Sequence, residues 1–230
     1  MFFHPMDFLI LIAFGLSIWA QFKVNGNFNK WSEVSASSGM TGAQAARILL
    51  DRQGLYDVPV EVVHGKLSDH YDPIARVVRL SEEVYYGSSI ASLSVACHEV
   101  GHAIQHKVHY PMLVLRHRIF PVVNFASGIA PFLLMAGFLF EALNMIGLGI
   151  ILFSAAVAFQ LVTLPVEFNA SARAKALMVS EGFIRKEEEH GVDKVLGAAA
   201  LTYVAAALIS VLELIKFVMI FLNQLQSKEE

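Results

Sequence analysis

His98 and His102 stand four positions apart in the run Ala96-Cys97-His98-Glu99-Val100-Gly101-His102-Ala103, with Glu99 directly after the first. The run lies in a segment whose apolar residues recur at helical spacing, and on a helix positions four apart share a face. Two imidazole nitrogens can therefore reach one metal ion. Glu99 is one step round the helix from His98, too offset to join as a ligand yet close enough to touch a water on the metal. Two ligands and one general base are the division of labour that H-E-x-x-H signals for zinc-dependent hydrolysis.

Composition sets the surroundings of that chemistry. The chain of 230 residues is 56% apolar, where a soluble domain is about 45–50% apolar, and the excess points to a membrane protein in contact with a lipid bilayer. With a net charge of −3 and dispersed Lys and Arg, nothing suggests a nucleic-acid partner, and none is expected. The single cysteine, Cys97, has no intramolecular disulfide partner and reads as a small buried residue of the motif helix.

The elements that must position the motif follow from hydropathy and turn signals. Phe8 to Phe22 is almost wholly apolar and ends near Trp19, Gln21 and Lys23, which reads as a retained anchor over residues 1–22. A secretory signal is disfavoured because no Lys or Arg precedes Lys23. Residues 23–118 form the one long polar stretch, long enough for a small α+β domain inserted between the first and second spans. Within it, Thr41, Ala45, Ile48, Leu49 and Gly54 read as a capped helix with a glycine stop. Val58 to Val63 and Arg76 to Leu80 read as strands joined by a loop that contains Ser68, Asp69, His70, Tyr71, Asp72 and Pro73. The motif helix runs from about Ser89 to His106. A strand followed by such a helix is the order in which an edge strand can pair with an extended peptide above the metal.

Ile119 to Phe140 and Leu143 to Val166 are two further apolar blocks, a transmembrane hairpin over residues 119–166. Pro121, Asn124 and Pro131 in its first arm imply a kink or a partner inside the protein. Residues 167–194 read as a helix plus a solvated loop, with Arg185 to Glu189 an exposed charge run. Residues 195–230 hold a last apolar helix, Val195 to Leu222, and a tail. The fold class expected is thus a mainly α-helical membrane protein with about four spans. Lys23, Lys30, Arg116, Arg118, Arg173 and Lys175 flank helix ends on one side, and the hairpin turn has no Lys or Arg. The positive-inside rule therefore puts the motif and Glu167 in the cytoplasm.

A catalytic zinc needs three protein ligands and an open position. Glu167 is the best third candidate, because the hairpin returns it to the motif's side of the membrane. His106, His70 and Asp72 are its rivals. His98, His102 and His106 cannot all serve, since three ligands on one straight helix span roughly 12 Å.

The runs Leu67-Ser68-Asp69-His70-Tyr71-Asp72-Pro73, Leu80-Ser81-Glu82-Glu83-Val84-Tyr85-Tyr86-Gly87 and Leu164-Pro165-Val166-Glu167-Phe168-Asn169-Ala170-Ser171, with Gly101 between the motif histidines, resemble the YugP-type putative neutral zinc metallopeptidases of bacterial membranes. The resemblance covers nearly the whole chain. It implies a multi-pass, zinc-dependent membrane peptidase of the bacterial cell membrane acting on a peptide or protein substrate. A more distant similarity is to the HtpX and CAAX-prenyl membrane proteases, which also set H-E-x-x-H and a later Glu between membrane helices. Those proteins usually carry an Asp four residues after the Glu ligand, where this chain has Ser171.

The mechanism expected is attack by a zinc-activated water, with His98, His102 and Glu167 as ligands and Glu99 as general base. Gly101 is read as permitting a close approach. His70, Tyr71, Tyr85, Tyr86 and Arg173 are candidates for a second electrophile. A non-catalytic scaffold with a structural zinc is the competing class and needs a fourth ligand, for which His70 or His106 is available. Metal transport is weaker, because ionisable groups within the spans are few; Glu213 and Lys216, three apart, are expected to pair or to lie at an interface.

Overall fold

The structure, a computed structural model, describes residues 4–229. Its helices are α1 (Pro5–Ser32), α2 (Gly42–Arg52), α3 (Glu82–Tyr86), α4 (Ile90–Lys107), α5 (Pro111–Leu139), α6 (Leu143–Ser180) and α7 (Glu189–Glu229). Its strands are β1 (Val60–Val63), β2 (His70–Asp72) and β3 (Val77–Ser81). The chain divides into two compact units.

One unit comprises Met1–Trp19, Val114–Leu164 and Thr202–Glu230. It draws on α1, α5, α6 and α7, which among the described residues are the four helices long and apolar enough to cross a membrane. The 29 residues of α5 extend roughly 43 Å, more than the ~30 Å of a hydrocarbon core. Pro121 and Pro131 lie inside α5, which continues through both. The turn between α5 and α6 is tight because Gly137 has no side chain: a Cβ there would lie 2.6 Å from Ile146 Cγ1 and 2.8 Å from the Ile146 nitrogen. Lys216 of α7 forms an ion pair with Asp7 of α1, a residue far from the expected partner Glu213 in sequence.

Helix limits differ from the hydropathy blocks in a consistent way. The first helix runs on past Phe22 to Ser32, α6 is unbroken from Leu143 to Ser180, and α7 begins at Glu189 instead of Val195. Backbone hydrogen bonding does not stop where side chains turn polar, so an apolar window underestimates each helix. Of the helix and solvated loop expected over residues 167–194, the helix is the end of α6, to Ser180, and the loop is the short connection before α7 at Glu189. Its charge run is more than a solvated face: Glu188 accepts from the Ser37 nitrogen at 2.7 Å and from Ser37 Oγ at 2.6 Å.

The second unit, Ala20–Leu113 with Pro165–Leu201, carries the motif. Thr41 caps α2 by a reciprocal box, its Oγ1 accepting from Gln44 N at 3.2 Å while Gln44 Oε1 accepts from Thr41 N at 2.9 Å. Gly54 ends the helix at φ +65°, as a left-handed stop favours. Ser89 caps α4 by accepting from Ser92 N at 3.0 Å. Leu49, Leu50, Leu80, Val84, Leu93, Val100 and Met178 are wholly buried together, so α4 is surrounded by α2, the sheet and the end of α6.

The sheet has the order β1-β3-β2, with β1 parallel and β2 antiparallel to the central β3. The two expected strands are present as β1 and β3. The segment expected to be a loop contains a third strand, β2, with Tyr71 opposite Val78. Its His-Tyr-Asp sequence has no apolar alternation, and it is extended because β3 offers it a ladder and side chains pin its ends. Asp69 Oδ1 accepts from Ser81 N at 2.7 Å. Asp72 accepts from Ile74 N, Ala75 N and Arg79 Nη1 at 2.8–3.0 Å. These donors, led by the Ala75 amide, hold the Asp72 carboxyl down at about 2 from its usual 3.8.

A depressed carboxyl stabilises the fold above its unfolded pKa and loses that contribution as pH falls toward its folded value. Thermal stability of the detergent-solubilised protein should therefore decline between about pH 4 and about pH 2 more steeply in wild type than in Asp72→Asn. Melting curves across that interval, with parallel slopes for the two proteins as the contrary result, test this.

Candidate metal centre

Two helices of the second unit supply the site. His98, Glu99 and His102 lie on α4; Glu167 and Ser171 lie one turn apart on α6. The helices meet where Gly101 faces Ala170. A Cβ at Gly101 would stand 2.7 Å from the Ala170 carbonyl oxygen and 3.2 Å from its Cα, and neither atom belongs to a side chain that could swing away. Glycine is therefore required by packing, which agrees with the close approach read from the motif.

At this crossing the three expected ligands converge. Glu167 Oε2 lies 3.4 Å from His98 Nε2 and 3.5 Å from His102 Nε2, and one donor atom from each residue falls within 4.8 Å of the others. Ligands at about 2.0–2.1 Å around a tetrahedral ion are separated by roughly 3.3–3.4 Å, so the two carboxylate–imidazole distances suit zinc closely. Glu167 is 3% exposed, and a carboxylate so removed from water is stable only beside cations or donors. The chemistry of the donor set, two imidazole nitrogens and one carboxylate oxygen, fits a catalytic zinc.

Each histidine is oriented from behind. His98 Nδ1 lies 3.1 Å from Ser171 Oγ, the hydroxyl one turn after Glu167 on α6. His102 Nδ1 lies 3.1 Å from Gln105 Oε1. Gln105, fully buried, donates from Nε2 to the Val166 carbonyl at 2.8 Å and to Asn169 Oδ1 at 3.0 Å. Sequence reasoning missed Gln105 and Asn169. An uncharged polar residue three positions after His102, on the helix face that carries both motif histidines, was the available signal.

Glu99 is buried beside this group, and its charge reaches both His102 and Asp69. Burial pushes the His102 imidazole down, but Glu167 and Glu99 outweigh it and hold the ring above its ordinary value. A metal must displace that proton, which makes zinc binding stronger as pH rises. Asp69 is pushed up, chiefly by burial with Glu99 adding to it, against its hydrogen bonds from Ser81.

The rival ligands are held elsewhere. His106 Nδ1 is 2.8 Å from Tyr71 Oη, with the two rings edge to face. His70 Nδ1 donates to the Ser68 carbonyl at 2.8 Å. Asp72 is occupied by Arg79 and the turn amides. Among the candidate electrophiles, Arg173 donates from Nε to Asn169 Oδ1 at 2.7 Å, and Tyr85 stacks edge-on with Tyr86.

The described residues thus combine a triad fit for zinc on two packed helices with four helices long and apolar enough to cross a membrane. The chain belongs to the family described as "Putative neutral zinc metallopeptidase", whose model matches residues 6–222. It is 71% identical over 216 residues to the protein of Bacillus subtilis (strain 168) named "Putative membrane protease YugP", covering 94% of this chain and 96% of that one. No solved structure matches it.

Gly101→Ala tests the crossing. The gain in helix propensity, about 1 kcal/mol, is outweighed by overpacking against backbone, typically about 1–3 kcal/mol. The variant should melt lower than wild type and bind zinc more weakly, measured by thermal unfolding and chelator competition. Unchanged zinc affinity would show that the helices separate there without moving Glu167.

Proposed function

We propose that the protein is a zinc-dependent membrane endopeptidase of the gluzincin type, with His98, His102 and Glu167 as ligands and Glu99 as general base. Residues 23–118 act as a zincin-like domain inserted between the first and second of four spans. The observation that carries the reading is the convergence of three donors at zinc-like separations beside a buried carboxylate that is not one of them.

Zinc, when bound, supplies an acidified water and a positive charge for the scissile carbonyl. Glu99, buried beside the triad, would take a proton from the water that attacks the scissile carbonyl and return it to the amine released as the C–N bond breaks. One water is consumed, giving a carboxylic acid and an amine. His98 and His102 stay neutral donors held by Ser171 and Gln105. The exposed edge of β2, beside α4 through Tyr71 and His106, offers backbone groups to an extended peptide. Substrates are peptides or proteins, membrane-associated ones included. The charges near the helix ends support a multi-pass protein of the bacterial inner membrane with its site on the cytoplasmic side.

The scaffold alternative requires a closed site. The positions of His106 on Tyr71 and His70 on Ser68 favour the open one, since those were the residues available as a fourth ligand.

Glu99→Gln keeps the side chain's shape and removes its basicity. It should retain zinc while hydrolysis of an unfolded reporter protein in detergent falls by roughly 10²- to 10⁴-fold; Glu167→Ala and His98→Ala should instead lose zinc. If Glu99→Gln and zinc-loaded wild type performed alike on every substrate and in cells, the scaffold reading would replace this one.

Topology has a separate test. Cys97 is buried and its thiol is pushed well up by burial, so it is silent to thiol reagents. A cysteine introduced by Ser68→Cys should resist an impermeant maleimide added outside intact cells and react after lysis. Labelling from outside would reverse the orientation.

A further inference from the structure

We propose that Gln105 is a positioning residue that holds His102 in the tautomer with its proton on Nδ1, so that the Nε2 lone pair is directed at the metal. The proposal rests on His102 being a zinc ligand for its functional meaning, though not for its structural content.

The argument uses groups that have only one hydrogen-bonding role. Amide oxygen and nitrogen are assigned from their surroundings, so a Gln–His contact alone does not say which atom carries the hydrogen. Here the surroundings decide. A backbone carbonyl can only accept, and Val166 O lies 2.8 Å from one terminal atom of Gln105. That atom must be the nitrogen. A second, independent chain of contacts reaches the same answer. The Nε–H of an arginine can only donate, and Arg173 Nε lies 2.7 Å from one terminal atom of Asn169. That atom is therefore the oxygen, and the Gln105 atom 3.0 Å from it must again be the nitrogen.

With its nitrogen committed twice, Gln105 presents only oxygen to His102 Nδ1 at 3.1 Å. Two acceptors facing each other would repel, so Nδ1 carries the hydrogen and Nε2 is left as the donor for a metal. Gln105 is completely buried, hence no bulk water is at hand to substitute for a lost partner, and the two anchors resist rotation of the amide by exchanging two satisfied contacts for two repulsive ones. The contrast with His98 is informative. Its Nδ1 faces a serine hydroxyl at 3.1 Å, which can accept or donate and imposes no tautomer. The site therefore has one imidazole with an imposed tautomer and one that adapts.

The variant Gln105→Met preserves volume and removes the strong acceptor and both donors, whereas Gln105→Glu keeps an oxygen acceptor toward Nδ1. Tautomers are read by two-bond ¹H–¹⁵N correlation of ¹⁵N-histidine-labelled, full-length, metal-free protein. The spectra are taken at about pH 9, where model imidazoles are neutral, in a Glu167→Ala background so that the carboxylate does not compete for Nε2. Zinc affinity is read separately, by chelator competition, with Glu167 intact. The expected result is the Nδ1–H form of His102 with Gln105, the same form with Gln105→Glu, and a mixture or the Nε2–H form with Gln105→Met. Zinc affinity should fall about 10- to 100-fold in Gln105→Met and less in Gln105→Glu. An Nε2–H form with Gln105 in place, or a Met variant that keeps both tautomer and affinity, overturns the proposal. If the Met variant does not fold, the tautomer found with Gln105 decides alone. A protein that shows the Nδ1–H form but fails to bind zinc would refute the metal-site reading and leave this inference standing.

Discussion

Everything at the site depends on how closely α4 and α6 pass at Gly101 and Ala170. A side chain at 101 would meet main-chain atoms at 2.7 Å and 3.2 Å, so the distance between the helices is set by backbone against backbone. On α6 that contact is flanked by Glu167 and Ser171, and on α4 by His98 and His102. Because residues three and four apart share a helix face, one close contact carries a carboxylate to two imidazoles on one side and a hydroxyl to His98 from behind. Widening the crossing by the thickness of a methyl group would separate all of these pairs together.

The second constraint is the cost of placing polar atoms in a dry region. Glu99, Gln105 and Glu167 are buried in a unit whose core is mostly apolar, built largely from Leu, Val, Ile and Ala with Phe28, Met178 and Phe183. An unsatisfied polar group there costs on the order of 1–3 kcal/mol and an unpaired charge far more. The site meets this cost with short-range partners in series: Arg173 to Asn169, Asn169 to Gln105, Gln105 to His102. Such a series confines each group to one orientation, which is what a metal site of fixed geometry requires. In the other unit Lys216 is set against Asp7, so that two opposite charges neutralise each other.

The sheet contributes through its edge. β3 is buried along most of its length, and β2 owes its extended form to β3 and to the carboxylates of Asp69 and Asp72. Tyr71 then links this edge to His106, near the end of the helix that bears the site. The same hydrogen bond explains why a third histidine at helical spacing from the motif is not a ligand: its ring is turned to the sheet.

What the sequence by itself determined was whatever depends on local periodicity and on residue chemistry at short spacing. That His98 and His102 share a face was legible because a helix puts positions four apart on one side; the capped α2 and the strands β1 and β3 were legible from turn residues and apolar pattern; the helices long and apolar enough to cross a membrane followed from hydropathy. Glu167 was legible only through topology, as the carboxylate that a hairpin returns to the motif. The tertiary structure alone decided the rest. β2 exists because a neighbour pairs with it, helix ends extend beyond apolar windows because backbone hydrogen bonds ignore side-chain polarity, and Lys216 pairs with a residue more than two hundred positions away. Gln105 carries no distinctive motif, and the run that contains Asn169 and Ser171 does not name their partners, since glutamine, asparagine and serine acquire a donor or acceptor role only from the atoms placed opposite them, some of which come from another helix.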